Sequence, residues 1–86
     1  MLIANPLKAF RLGGRQVVTC RVVGCNPNAF VGMNLRFHSE RGESKRIRIE
    51  GLSTASDLQR AEYDFLYSGD EILDSEISGN SIISGD

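Results

Sequence analysis

A guanidinium group offers phosphate or carboxylate a planar fork of donors. This chain sets three of them at alternate positions of two neighbouring segments. Asn34, Arg36 and His38 alternate with Leu35 and Phe37, and Arg46 and Arg48 alternate with Ile47 and Ile49. Side chains alternate faces along a strand, so the spacing predicts two strands that share a basic face. If they form a hairpin, Arg36 must lie opposite or diagonal to Arg46 or Arg48. Like charges in that position destabilise a sheet, and a sequence shaped by stability alone would place Glu or Thr there. The candidate partner-binding residues are therefore Arg21, Arg36, His38, Arg41, Arg46 and Arg48. Arg21 is expected on an adjoining strand and Arg41 at the loop tip.

The charge distribution points the same way. Residues 1–49 hold nine Lys/Arg against Glu40 and Glu43, whereas residues 50–86 hold only Arg60 against nine acids. Such asymmetry suggests nucleic acid or another charged partner. Two blander uses compete with it. The acidic half can neutralise the basic half, within one molecule or between copies. Long basic side chains can also simply solvate a sheet face and discourage edge aggregation. Single-strand binders interleave aromatics for base stacking, and the outward positions of these two strands carry none. The patch therefore suits a nucleic-acid backbone or an acidic protein surface better than it suits bases.

Other chemistry finds no pattern. Gly42-Glu43-Ser44-Lys45 matches no phosphate loop or dinucleotide fingerprint. His38 with Cys20 or Cys25 gives neither a supported nucleophile–base pair nor a metal site with paired ligands and a fourth donor. Asp70/Glu71 and Asp74/Glu76 lie in a polar acidic stretch and read as solvating charge. No catalytic residue, metal or cofactor is expected, and the chain is not expected to be an enzyme.

The elements that must position the arginines read as follows. Met1–Gly14 is a lead-in, turned at Asn5-Pro6. Arg15–Gly24 is a strand, with Val18, Cys20 and Val22 on one face and Val17, Thr19, Arg21 and Val23 on the wetter one. Cys25–Ala29 is a turn around Pro27. Phe30–His38 and Lys45–Glu50 are the next strands, joined by a loop at Glu40–Ser44. Gly51 ends the sheet pattern, and Ser53 or Thr54 can cap a helix. Leu58, Ala61, Phe65 and Leu66 fall at helical spacing, so Thr54–Tyr67 is expected to be helical, with Gly69 just past its end. Asp70–Asp86 is an acidic tail carrying one or two strands around Ser78-Gly79-Asn80.

The predicted fold is α+β, in the order β-β-β-α-β-(β): a small antiparallel sheet or partly open barrel with one helix packed on it. It is divided as 1–14 lead-in, 15–50 sheet, 54–67 helix and 70–86 tail within a single domain. That order occurs in OB-type barrels, where strands two and three carry the ligand face, and also in open sheets with a covering helix. With 86 residues, such a domain leaves little room for a deep cleft beside a core. No apolar run reaches the ~20 residues that span a bilayer, so no membrane partner is expected. Cys20 and Cys25, ~16 Å apart in extended chain, are beyond disulfide reach. The compartment expected is the cytoplasm. The function expected is a non-enzymatic module that presents a basic sheet face to an anionic macromolecule, nucleic acid or acidic protein. The alternative is a protein–protein adaptor or inhibitor of the compact kind carried by phages and mobile elements, forming a homo-oligomer through basic sheet and acidic tail.

Overall fold

Val, Ile, Phe and Tyr at alternate positions favour pleated backbone, and in the structure that preference extends over most of the chain. A computed structural model describes residues 2–53 and 58–85. Among them are six strands: β1 (Ile3–Leu12), β2 (Arg15–Arg21), β3 (Asn34–His38), β4 (Ser44–Leu52), β5 (Glu62–Gly69) and β6 (Ile82–Gly85). All neighbours are antiparallel, and the sheet closes on itself in the order β1-β2-β5-β4-β3-β6. The last contact pairs Ile3 with Ser84 and Ala4 with Ile83. Closure removes the exposed sheet edges that otherwise invite aggregation.

The α+β expectation is wrong. The described residues contain no α-helix, only three short 3₁₀ turns: Pro27–Phe30, Leu58–Arg60 and Asp74–Glu76. Of the expected helix Thr54–Tyr67, residues 54–57 lie outside the described part. The remainder is a 3₁₀ turn followed by most of β5, which pairs with β2 on one side and β4 on the other. Helical spacing of Ala61, Phe65 and Leu66 competes there with strict alternation of Tyr63, Phe65 and Tyr67. Two flanking strands supply the backbone partners that decide the outcome for alternation. Ala61 adopts φ 56°, a left-handed value that turns the chain into β5. The fold is also not the partly open five-stranded barrel of the OB type, because six strands are present and the ring is closed.

The lead-in is a strand as well. Gly13 and Gly14 have φ 58° and 81°, the left-handed pair that a two-residue hairpin turn demands and that glycine supplies without strain. They bring Leu12 opposite Arg15. Pro6, with no N–H to donate, is tolerated because the β1–β2 register shifts between Pro6 and Lys8. Small residues on β1, Ala4 and Ala9, face a core filled by Phe30, Leu35, Phe37, Ile49, Phe65 and Ile83. Phe30 and Phe65 meet in a tilted ring contact at 5.6 Å.

On β2, Val18 and Cys20 point inward as the alternation requires, yet Val17 and Thr19 are buried too. They are covered from outside. Val17 lies between Phe10 and Leu66 in one cross-strand row, and Thr19 Oγ1 donates to Asp64 Oδ1 at 2.5 Å.

The acidic tail packs against the barrel. Ile72 is buried and Ile77 packs on the core. The Ile72 N–H donates to the Tyr67 hydroxyl at 2.9 Å, and Ala9 N–H donates to Asp74 Oδ1 at 3.0 Å. Lys45 Nζ donates to the Glu71 carbonyl and to Glu76 Oε1, which also accepts from Leu73 N–H. Four carboxylates of the tail thus serve the chain's own barrel, counting the Arg11–Glu71 pair at 2.8 Å and Asp70, which accepts the Arg46 N–H.

Candidate anion-binding site

The β3–β4 hairpin carries the site. Its loop is pinned by Ser39 N–H to the Glu43 carbonyl at 2.8 Å, and its far end by Ile49 N–H to the Met33 carbonyl at 3.1 Å. Between them Leu35, Phe37, Ile47 and Ile49 are buried, so Arg36, Arg46 and Arg48 project from the outer wall. Arg36 is paired directly with Arg46, and Asn34 with Arg48. Hydrogen-bonded and non-hydrogen-bonded pairs alternate along an antiparallel ladder. Counting from either pinned end makes Arg36/Arg46 a non-hydrogen-bonded pair, the kind whose Cα atoms approach to ~4.5 Å and whose side chains lie closest.

The partners of these cations differ. Arg48 Nε reaches Glu50 Oε1 at 3.6 Å, a long contact, and the same oxygen accepts from Ser68 Oγ at 2.7 Å. Asp70 bonds the Arg46 backbone: its N–H donates to the Arg46 carbonyl at 3.0 Å, and its carboxylate accepts the Arg46 N–H at 3.2 Å. Among the described residues no carboxylate forms an ion pair with the Arg46 guanidinium.

Not all the expected site residues converge. His38 is half-buried on β3, level with Ser44 and Ile82, two positions along from Arg36. Arg41 sits at the hairpin tip between two acidic neighbours, Glu40 and Glu43, beside a hollow that Glu76 also lines. Arg21 is separated from the patch. Its strand β2 is three places from β3 around the ring, and its guanidinium pairs with Glu62 at 3.2 Å. The expectation that β2 neighbours the basic hairpin fails because β5 lies between β2 and β4. Cys20 points into the core from β2 while His38 stands on the far wall, so these two do not meet. Burial pushes the Cys20 thiol pKa up, which suppresses the thiolate that nucleophilic chemistry requires.

The topology brings in arginines that sequence reasoning missed. Gln16 is level with Tyr67 on β5, and Ser68 is level with Arg48 on β4. Arg15, one residue before Gln16, therefore lies on the same transverse line as Ser68, Arg48 and Asn34. Two shallow grooves meet there. One, of about 350 Å³, is lined by Asn34, Arg46, Arg48, Ser68 and Gly69. The other, of about 560 Å³, is lined by Arg11, Gly14, Arg15, Gln16, Glu50, Ser68 and Gly69 together with the apolar Leu66 and the aromatic Tyr67. Ser68 and Gly69 form the low saddle between them. A signal for Arg15 did exist: Gly13-Gly14 flanked by apolar stretches is a hairpin cue, which marks Arg15 as the first residue of a paired strand. No family model, curated protein or solved structure matches this chain.

Proposed function

We propose that this barrel is a non-enzymatic module that holds a polyanion on the outer wall of β3 and β4. One observation carries the reading: Arg36 and Arg46 face each other in the closest kind of cross-strand pair, with Arg48 beside them. Like charges so placed are unfavourable, and although Arg36 already makes a contact of its own, an anion laid across the pair gains charge-assisted hydrogen bonds from two guanidinium groups at once. Arg46 offers its guanidinium without first giving up an ion pair among the described residues. The alternative in which copies associate through basic sheet and acidic tail is less well supported, since Glu71, Asp74 and Glu76 already bond the barrel's own groups.

Net charge gives a clean test. The chain carries a formal charge of −1 at pH 7, so retention on heparin resin at that pH needs a local patch. The expected result is retention at low ionic strength and release as salt screens the contacts. R46E/R48E should flow through while keeping the parent circular dichroism. A wild-type protein that passes unretained at low ionic strength overturns the reading.

A further inference from the structure

We infer that the polyanion is a single-stranded nucleic acid, and that its phosphodiester backbone runs from the Arg36/Arg46 pair across Ser68-Gly69 to Arg15. This rests on the polyanion reading above and extends it to a track and a ligand class.

The track follows from the ring order. β4, β5 and β2 are consecutive, and neighbouring strands lie ~4.8 Å apart. Arg48 and Arg15 are thus two strand spacings apart, about 10 Å, with only Ser68 between them on that line. One row along, Asp70, Arg46, Arg36 and Ser84 form the parallel line. The floor is low because Gly69 has no side chain and Ser68 is small, and the two grooves join over it. Among the described residues neither Arg15 nor Arg46 has an ion-pair partner. Among the described residues the negative groups along the path are Glu50, bonded by Ser68 and Arg48, and Asp70, bonded by the Arg46 backbone.

The chemistry of the track favours nucleic acid over an acidic protein. Protein interfaces are anchored by apolar and aromatic side chains in desolvated pockets. The line Asn34–Arg48–Ser68–Arg15 itself has none; Leu66, which also lines the second groove, stands one row away, and Tyr67 is buried. What the line presents is spaced guanidinium groups over a small polar floor, which matches a regular chain of phosphates. The wall is the outside of a barrel measuring 30 × 30 × 22 Å, and it curves away in both directions. A flexible single strand can follow that curve, whereas a stiff duplex would touch it over only a short arc. Affinity on such a surface comes from phosphate contacts and counterion release, so sequence preference should be weak.

The test is fluorescence anisotropy with a labelled oligothymidylate and, as competitor class, labelled poly-glutamate, over a salt series. For single strands the slope of log K against log salt is about −0.7 per neutralised phosphate. Wild type should bind the oligonucleotide more tightly than poly-glutamate. R15A should weaken oligonucleotide binding several-fold and make the slope shallower by roughly 0.7, and R21A should change neither. A readout on the unaltered protein is the set of backbone amide shifts, where Ser68, Gly69 and Arg15 should move on titration with the oligonucleotide. If R46A/R48A abolishes binding but R15A changes nothing and only β3–β4 amides move, the track is refuted and the polyanion reading stands. Tighter binding of poly-glutamate refutes the nucleic-acid assignment alone. Absence of binding to either probe removes both.

Discussion

Gly69 is the residue on which the saddle and the barrel wall both depend, and replacing it with alanine separates two physical costs. Its φ is +101°, and an added Cβ would stand 2.6 Å from the Arg46 carbonyl oxygen and 3.2 Å from Ile47 Cα. The backbone conformation alone costs an L-residue ~1–3 kcal/mol. The contact with Arg46 O is with main chain, so β4 and β5 must separate to relieve it. That movement strains the bond from Asp70 N–H to Arg46 O, worth ~0.5–1.5 kcal/mol net. Gly69→Ala should therefore destabilise by about 2–4 kcal/mol. For a domain of this size each kcal/mol moves Tm by roughly 4–8 °C, so the midpoint should fall by at least ~8 °C. Two controls divide the effect. Gly42 has φ +89° with nothing near its missing Cβ, so Gly42→Ala should show the conformational cost alone. Gly79 has no positive φ and open space around it, so Gly79→Ala should be neutral or slightly stabilising. The measurements are urea unfolding for the free-energy differences and thermal unfolding for Tm, on the three variants beside wild type. If Gly69→Ala proves no worse than Gly42→Ala, the steric part of the reasoning is wrong; if it matches Gly79→Ala, the whole of it is.

Three further outcomes follow from particular contacts. Arg46→Glu turns the repulsion with Arg36 into attraction and should stabilise the fold by a few tenths to ~1 kcal/mol at low ionic strength. The proximity of Asp70 and the contact that Arg36 already makes set the lower end, and in molar salt the gain should vanish; unfolding at two salt concentrations checks it. The Glu76 side chain is 16% exposed, and its pKa is lowered chiefly by the hydrogen bond from Lys45. A depressed carboxyl pKa contributes stability above its unfolded value and loses it as pH falls through the folded one. The unfolding midpoint should therefore drop as pH falls below about 4.5, and Glu76→Gln should flatten that limb; an unchanged acid limb in the variant would count against the Lys45–Glu76 pair. Tyr67→Phe removes the acceptor for the buried Ile72 N–H and should cost ~1–3 kcal/mol. It should also raise hydrogen exchange at Ile72 above that of the barrel strands, and an Ile72 amide as protected as before would contradict this.

Some of this molecule is written in short stretches of sequence. The alternation of Leu35 and Phe37 against Arg36, and of Ile47 and Ile49 against Arg46 and Arg48, specifies two one-sided strands. Local pattern places Arg36 opposite or diagonal to Arg46 or Arg48; that it faces Arg46 is the register the folded hairpin adopts. Other parts were legible but ambiguous. Residues 58–67 satisfy a helical period and a strand period together, and aromatics at 63, 65 and 67 are at home in a pleated sheet. In β1 the shift after Pro6 breaks the alternation, and the inward residues are small, so a strand reads as irregular lead-in.

The order of strands around the ring is decided only in three dimensions. Local pattern fixes which face of a strand is apolar and carries no information on which strand lies beside which. Hydrogen bonding of β5 between β2 and β4 removes Arg21 from the basic wall and brings Arg15 to it. Arg15 and Arg48 are remote in sequence and two strands apart in space because β5 satisfies its backbone donors and acceptors on both sides. Sequence by itself set the charges and the hairpin that displays them. The order in which the strands close the ring determined which of those charges share a surface.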